Sequence, residues 1–87
     1  MLAPMRKRVG HPDPALGRFL RRQRERRGIS QETAAFHAGI TTGTLARIEL
    51  GQSDPAWSTV RAISSALQLT LVELAEGVEA EEGVGSA

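Results

Sequence analysis

The sequence predicts an all-α domain of five short helices, and three features of the chain support this class. Apolar residues recur at spacings of three and four along each periodic segment, as on the buried face of an amphipathic helix. Capping residues and glycines mark the ends of these segments, for example Ser30 before one of them and Gly51 after another. The connections left between them are about two to six residues long, as expected for neighbouring helices that close a single core.

Length and composition restrict the chain further. Its 87 residues are enough for one small domain. It has no cysteine, so neither a disulfide framework nor a thiolate metal site is available, and stability must come from helix packing or dimerisation. Two phenylalanines and one tryptophan are too few for the stacking platforms that bind single-stranded nucleic acid. No apolar run approaches the roughly 20 residues of a membrane span, and we expect a soluble intracellular protein.

The charges are divided unevenly along the chain. Residues 1–29 hold nine Lys and Arg residues against two acidic residues, a net charge of +7. Residues 30–87 hold two arginines against eight acidic residues, a net of −6, so the overall value of +1 hides the division. A strongly basic first part points to a polyanionic partner. Because an arginine-rich helix is often only a solvated face, not every arginine is expected to approach that partner.

The first segment, residues 1–12, is predicted to be a flexible basic arm. It has two prolines, a glycine and the basic triplet of residues 6–8, without helical periodicity. Such an arm could lie in a minor groove, although a solubilising tail is the more common role. Asp13 and Pro14 then form a cap followed by a proline in the first turn, which is typical of a helix start. The first helix is expected to end at Gly28.

Residues 31–50 have the pattern of two short helices joined by a tight turn. Small residues form the packing face of the first of these helices: Ala34, Ala35 and Ala38. Gly39 supplies the positive φ that a helix end often needs. Thr41 caps the following helix, which places Leu45 and Ile48 three residues apart on one face. This layout predicts a helix-turn-helix whose second helix is short, polar on its outer face and suited to a DNA groove.

Two further helices complete the predicted domain, residues 13–76. The fourth is expected to start at Asp54–Pro55, which repeats the cap-and-proline pair. Its core positions are spaced by three and four: Trp57, Val60, Ile63, Ala66 and Leu67. Thr70 and Glu73 have the spacing of a capping box and predict a short fifth helix. The acidic, glycine-rich residues 77–87 are predicted to form a disordered tail.

Several of these positions together are typical of one family. They are Arg24, Gly28-Ile29-Ser30-Gln31-Glu32, Ala35, Gly39, Ile40, Leu45, Arg47-Ile48-Glu49, Gly51, Pro55 and Ala66-Leu67. In their order and spacing the chain resembles the Cro/C1-type, lambda-repressor-like helix-turn-helix regulators of bacteria and phages. The resemblance implies a compact five-helix domain that binds double-stranded DNA as a homodimer, typically as a transcriptional repressor or activator, and we expect a repressor. It also implies a cytoplasmic protein associated with the bacterial nucleoid, which needs no cofactor.

The resemblance also assigns roles to individual residues. The DNA-binding residues that it implies are Gln31, Thr41, Thr42, Gly43, Thr44, Arg47, Gln52 and Ser53. Among them, Gln31 donates to a DNA phosphate at a helix N-terminus, where free N–H groups already favour an anion. The backbone of residues 51–53 also contacts phosphate. Arg24 of the first helix pairs with Glu49 of the third as an internal ion pair.

Arg47 and Thr42 are the best candidates for reading bases. The Arg47 guanidinium can donate to O6 and N7 of a guanine together, which is worth about 1–3 kcal/mol of discrimination. A phosphate contact is the alternative, since phosphates and sugars receive about half to two-thirds of protein–DNA hydrogen bonds. Thr41 is expected to act mainly as a cap. Gly43 either lets the backbone approach the bases closely or is a tolerated change that contributes nothing.

So few reading side chains suggest that specificity depends partly on DNA shape and on the spacing of half-sites. Besides Gly43, two positions depart from the family pattern. Leu50 stands where an Arg or Asn often contacts phosphate. Ala34 replaces a larger aliphatic residue, and the space is expected to be filled by Phe36 or Trp57.

No residue pattern indicates an enzyme or a metal site. His11 and His37 have no partners at the spacing of metal ligands, and His37 is expected at the surface. No nucleophilic triad, phosphate-binding glycine loop or carboxylate pair is present above chance. Trp57 is assigned to the core because of its helical spacing.

Two functions other than DNA binding are compatible with parts of the sequence. An antitoxin or an adaptor for another protein uses the same kind of domain, but residues 77–87 have few apolar anchors for a protein partner. The basic first helix has the composition of a membrane-surface helix, but its apolar stripe is needed for the core. We therefore expect a DNA-binding regulator with no membrane partner.

Overall fold

The structure, a computed structural model, describes residues 12–85, and this range contains five helices and no strand, as predicted. The helices are α1 (Pro14–Arg26), α2 (Gln31–Ala38), α3 (Thr42–Glu49), α4 (Trp57–Ala66) and α5 (Leu71–Gly85). Helix α1 packs against α3 and α5, and α2 packs against α3 and α4. None of these helices is long and apolar enough to cross a membrane. The predicted basic arm lies outside the described residues except for its last residue.

Local sequence signals set most of the helix ends. The predicted caps Asp13, Ser30 and Thr41 each accept a hydrogen bond from the backbone N–H three residues later. The capping box of α5 is also present, with the N–H of Thr70 donating to Oε1 of Glu73 over 2.9 Å and the N–H of Glu73 donating to Oγ1 of Thr70 over 3.0 Å. These bonds satisfy backbone groups that a helix start would otherwise leave without partners.

The helices pack around an apolar core. Its buried residues are Leu16, Phe19, Leu20, Ala34, Ala35, Ala38, Leu45, Ile48, Val60, Ile63, Leu67 and Leu74. Helix α1 comes very close to the end of α3 at Gly17, where a Cβ would overlap the backbone carbonyl oxygens of Ile48 and Glu49. The missing side chain therefore lets α1 lie directly on α3, which fixes α3 against the rest of the domain.

The start of α4 differs from the prediction. The cap is Ala56 and the helix begins at Trp57, so Asp54–Pro55 belongs to the preceding loop. Trp57 is 59% exposed, and its assignment to the core is wrong. Trp57 shares a helix face with the buried Val60 but lies one turn earlier, at the start of α4. The apolar core does not extend that far, and Trp57 lines an open groove together with Leu71.

The space beside Ala34 is not filled by an aromatic residue, so that expectation is also wrong. Phe36 is exposed on the outer face of α2, in edge contact with the ring of His37. Ala34 and Ala35 are buried where α2 packs on α4. The small side chains therefore let the two helices approach each other, and no larger side chain is needed between them.

Residues 77–85 are helical and not disordered, which corrects the predicted tail. Helix α5 continues to Gly85, and Val78 packs against the core. Gly77 lies so close to the ring of Phe19 that a Cβ there would overlap it. Close packing on α1 and the ion pairs of Glu81 thus outweigh the low helix propensity of the glycines.

Candidate nucleic-acid interface

Helices α2 and α3 form the predicted helix-turn-helix. Gly39 has a φ of 72°, in the left-handed region that favours glycine. Its N–H donates to the carbonyl of Phe36 over 3.1 Å, and the N–H of Ile40 donates to that of Ala35 over 3.0 Å. Because these bonds close the end of α2, the chain reverses within three residues and α3 starts against it.

Helix α3 has one buried and one exposed face. Leu45 and Ile48 are buried in the core, whereas Thr42, Gly43 and Arg47 are exposed on the other side. Opposite faces of an eight-residue helix therefore separate the residues that hold α3 in place from those that face solvent.

The threonines at the start of α3 have different hydrogen-bonding roles. The hydroxyl of Thr41 accepts from the N–H of Thr44 over 3.0 Å and donates to the Thr44 hydroxyl over 2.8 Å. Nη2 of Arg47 reaches the same Thr44 oxygen at 3.4 Å. The Thr42 hydroxyl has no partner among residues 12–85. Thr42 is thus the threonine whose side chain is free to contact a ligand.

Gly43 has no conformational reason to be glycine in the protein itself. Its φ is not positive, and a Cβ would meet only Nη1 of Arg47, at 3.7 Å, an ordinary van der Waals distance. An alanine would therefore fit, and it would favour the helix by about 1 kcal/mol. Any requirement for glycine at this position would have to come from a bound partner.

Gln31 stands at the N-terminus of α2, half buried. The Ser30 hydroxyl accepts from the N–H of Thr33, and within the described residues the N–H groups of Gln31 and Glu32 have no acceptor. The side-chain amide of Gln31 points inward and donates from Nε2 to Oε1 of Glu49 over 2.9 Å. This contact, which no local sequence pattern reveals, joins the first residue of α2 to the last residue of α3.

The ion pair of Arg24 and Glu49 is present and almost fully buried. Nε of Arg24 donates to Oε2 of Glu49 over 2.7 Å, and Nη2 donates to Oε1 over 3.1 Å. These hydrogen bonds raise the pKa of Arg24 above its usual value, against the opposing effect of burial. Nη1 of Arg24 also donates to the carbonyl of Ile29 over 2.7 Å. One arginine of α1 is therefore bound both to the end of α3 and to the segment that leads into α2.

The loop after α3 has fewer free backbone groups than the resemblance implies. The N–H of Gly51 donates to the carbonyl of Ile48 over 3.0 Å, and that of Gln52 donates to Arg47 over 2.9 Å. Both bonds complete the C-terminal cap of α3, so neither N–H is available to a phosphate. Among residues 51–53 the remaining donors for an anion are the side chain of Gln52 and both the N–H and hydroxyl of Ser53.

Most of the arginines in the basic first helix form ion pairs within the domain. Four arginines of α1 form ion pairs with acidic residues of the domain: Arg18, Arg21, Arg22 and Arg24. Two of these pairs involve Glu81, whose position in α5 the sequence did not indicate. Within residues 12–85, Arg26, Arg27, Arg47 and Arg61 have no ion-pair partner. Much of the positive charge on α1 is thus neutralised inside the molecule.

An apolar surface lies at α4 and α5, and no residue of α3 lines its groove. Trp57, Leu71 and Val72 are exposed there, and the first two line an open groove of about 440 Å³ with the buried Leu74 and the half-buried Val78. Exposed apolar groups of this kind are typical of contact surfaces. His37 is exposed as predicted, and no group of three potential metal ligands occurs among the described residues.

Comparisons with known proteins agree with this geometry. A family model described as a helix-turn-helix domain matches residues 15–77. Among solved structures, the restriction-modification controller protein C.AhdI from Aeromonas hydrophila is 31% identical and aligns with a TM-score of 0.68 over 70% of this chain and 92% of its own. No curated protein matches the sequence.

Two more distant structures share the fold. The clp gene regulator ClgR from Corynebacterium glutamicum is 19% identical, with a TM-score of 0.81 over 85% of this chain and 79% of its own. The wild-type restriction-modification controller protein C.Esp1396I is 18% identical, with a TM-score of 0.74 over 78% and 88% of the two chains. At such identities the likeness concerns the fold alone.

Proposed function

The chain belongs to the Cro/C1-type helix-turn-helix family of DNA-binding regulators, and we propose that it is a transcriptional repressor that binds operator DNA in the cytoplasm as a homodimer. The observation that carries the proposal is the outer face of α3. Thr42 and Arg47 are exposed there, next to N–H groups of the first turn of α3 that have no acceptor among residues 12–85, while the opposite face of the helix is buried. A short helix anchored on one side and polar on the other fits the major groove.

The DNA contacts that we propose fall into two groups. Thr42 and Arg47 read base edges, and Thr41, Gly43 and Thr44 lie against the same groove. The N-terminus of α2, with Gln31, and the loop side chains of Gln52 and Ser53 contact phosphates and set the register. Since Thr41 and Thr44 hold each other, their contribution to base reading is smaller than that of Thr42.

Dimerisation is supported by the apolar surface around Trp57. Trp57, Leu71 and Val72 are exposed, and a second copy of the chain would cover them. A two-fold dimer would place its two α3 helices on half-sites about 34–36 Å apart. Sedimentation equilibrium at micromolar concentration is expected to give a dimer, and a monomer would contradict this part of the proposal.

A role in gene regulation is supported by the kind of protein that the chain resembles. C.AhdI is a restriction-modification controller and ClgR a gene regulator, and both contain this fold. We propose that the homodimer acts by occupying its operator. An antitoxin or adaptor remains the alternative, because the apolar surface would also suit a protein partner.

The test is in vitro selection of the bound DNA, followed by binding measurements with Arg47→Ala. We expect this variant to lose discrimination at one base-pair position, by about 1–3 kcal/mol, because a bidentate contact to guanine is removed. Wild-type affinity should fall steeply with salt, with a log–log slope of about −0.9 per neutralised phosphate.

Arg61→Ala is the matched control, because Arg61 is an exposed arginine without an ion-pair partner among residues 12–85 and belongs to α4, outside the helix-turn-helix. It should leave the preferred base unchanged. Equal weakening of Arg47→Ala on all sequences would make Arg47 a phosphate contact. A protein that selects no DNA sequence but copurifies with a stoichiometric protein partner would overturn the proposal in favour of the alternative.

A further inference from the structure

We propose that Glu49 is a positioning residue for DNA binding, whose buried carboxylate holds the side-chain amide of Gln31 in the orientation that meets a phosphate. The inference rests on the proposed function, because it concerns how the α2 contact is prepared. Glu49 itself would not touch DNA, since only 2% of its side chain is exposed.

The chemistry of the two groups determines which end of the amide faces inward. A carboxylate can only accept hydrogen bonds, so Glu49 selects the Nε2 end of Gln31 and excludes its carbonyl end. The observed bond, 2.9 Å from Nε2 to Oε1 of Glu49, uses one of the two amide hydrogens. The other hydrogen remains available, and Gln31 is only half buried. The bond therefore fixes the rotamer without consuming the donor that a phosphate would need.

The carboxylate is itself held rigidly. Arg24 donates to both of its oxygens, at 2.7 and 3.1 Å, and also to the carbonyl of Ile29 at 2.7 Å. The same guanidinium thus fixes the acceptor of the Gln31 amide and the segment just before the α2 cap. A side chain that is already ordered before binding loses less conformational entropy when it meets its ligand, which favours affinity.

The charge of Glu49 and its bond to Gln31 have opposite effects on the affinity for DNA. Glu49 is negatively charged and ends α3, where the helix dipole is also negative, so its charge opposes the approach of DNA. Removal of that charge alone would strengthen binding to a polyanion. If Glu49 positions Gln31, its neutralisation must weaken binding instead, because an amide at position 49 has one acceptor oxygen in place of two and cannot accept from Nε of Arg24 and from Nε2 of Gln31 at once.

The experiment is a double-mutant cycle with Glu49→Gln, Gln31→Ala and the double variant on the selected operator. Each single variant is expected to weaken binding about tenfold per protomer, as for the loss of one charge-assisted hydrogen bond. The double variant should bind no more weakly than Gln31→Ala alone, because Glu49 acts through Gln31. Additive losses, or tighter binding by Glu49→Gln, would overturn the inference.

Glu81→Gln is the matched control. It removes the same charge from another buried carboxylate that pairs with arginines of α1, but Glu81 makes no contact with Gln31. Its affinity for DNA should equal that of the wild type or exceed it slightly. A tenfold loss in this control as well would attribute the Glu49→Gln effect to general loosening of the domain, and the inference would fail.

A measurement on the wild-type protein covers the case in which Glu49→Gln does not fold. NMR resolves the two Nε2 protons of Gln31, assigned by their absence in Gln31→Ala, and one of them should exchange slowly with solvent in the free protein. Fast exchange of both would overturn the inference. Wild-type protein that selects no DNA would refute the proposed function even if this proton is protected, whereas selective binding with additive losses would refute only the role of Glu49.

Discussion

Glu49 and Glu81 are two buried carboxylates that both bind arginines of α1, yet the arginines that they bind differ in their exposure to solvent. Glu49 pairs with Arg24, whose side chain is only 12% exposed. Glu81 pairs with Arg18 and Arg22, whose side chains are 43% and 59% exposed. Both carboxylates are buried, but only Glu49 neutralises an arginine that is itself largely shielded from water.

This difference teaches how one arginine-rich helix can support two kinds of contact. Gly17 and Arg24 are seven residues apart and lie on the face of α1 that meets α3, where the helices touch and water is excluded. Arg18 and Arg22 are four residues apart on the side that meets α5, at the edge of the molecule. The ion pair of Arg24 and Glu49 therefore lies in the interior of the domain, whereas the ion pairs of Arg18 and Arg22 with Glu81 attach the end of α5 to α1.

The largest expected effect is at the interior pair. Glu49→Ala would leave the Arg24 guanidinium buried and uncompensated, and we expect the free energy of unfolding to fall by about 3–5 kcal/mol. Urea denaturation followed by circular dichroism measures this loss. Glu25→Ala, which removes the partner of the exposed Arg21, is the control and should change stability by less than about 0.5 kcal/mol. A loss below about 1 kcal/mol for Glu49→Ala would show that Arg24 reaches water and would remove the contrast with Glu81.

A smaller effect is expected at the edge. Glu81→Ala should cost about 1 kcal/mol, because Arg18 and Arg22 can be solvated once the carboxylate is gone. The change should be local, so that backbone amides of residues 78–85 exchange faster with solvent while those of α3 are unaffected. Hydrogen exchange followed by NMR measures both. Faster exchange in α3 as well would mean that the end of α5 and the recognition helix unfold together.

The smallest effect concerns Glu73, an exposed carboxylate that forms no ion pair among residues 12–85. Hydrogen bonds from the N–H of Thr70 and, second, from its hydroxyl lower the pKa of Glu73 below its usual value of 4.5. Since the folded-state pKa is the lower one, the stability that this carboxylate contributes is present above the usual value and is lost as pH falls through the folded value. The melting temperature of Glu73→Gln should therefore lie below that of the wild type at pH 7, and the difference should shrink as the pH approaches 3. A constant difference would show that ionisation of Glu73 does not matter.

Those features that depend on neighbouring residues in the chain could be predicted. The caps Asp13, Ser30 and Thr41 and the capping box at Thr70 are all made within four residues, and the structure has each of them. The turn at Gly39 is equally local. The candidate DNA-binding face followed from these elements, because helical periodicity separates Thr42 and Arg47 from Leu45 and Ile48.

Contacts between distant segments were predicted less well. The periodicity of α4 placed Trp57 on the core face, but a helical pattern does not say where along that face the core ends. The glycines and acidic residues after position 76 suggested disorder, because the pattern does not include Phe19, against which Gly77 packs. The bond from Gln31 to Glu49 spans 18 residues and left no signal in the sequence.

The sequence by itself determined the five-helix class, the helix-turn-helix and the exposed residues of α3, because each depends on interactions between residues close together in the chain. The tertiary structure alone decided which arginines of α1 remain free, where Trp57 stands and how far α5 extends. Ion pairs and close helix contacts join segments far apart in the chain, and their free energies depend on burial, which exists only once the helices have packed.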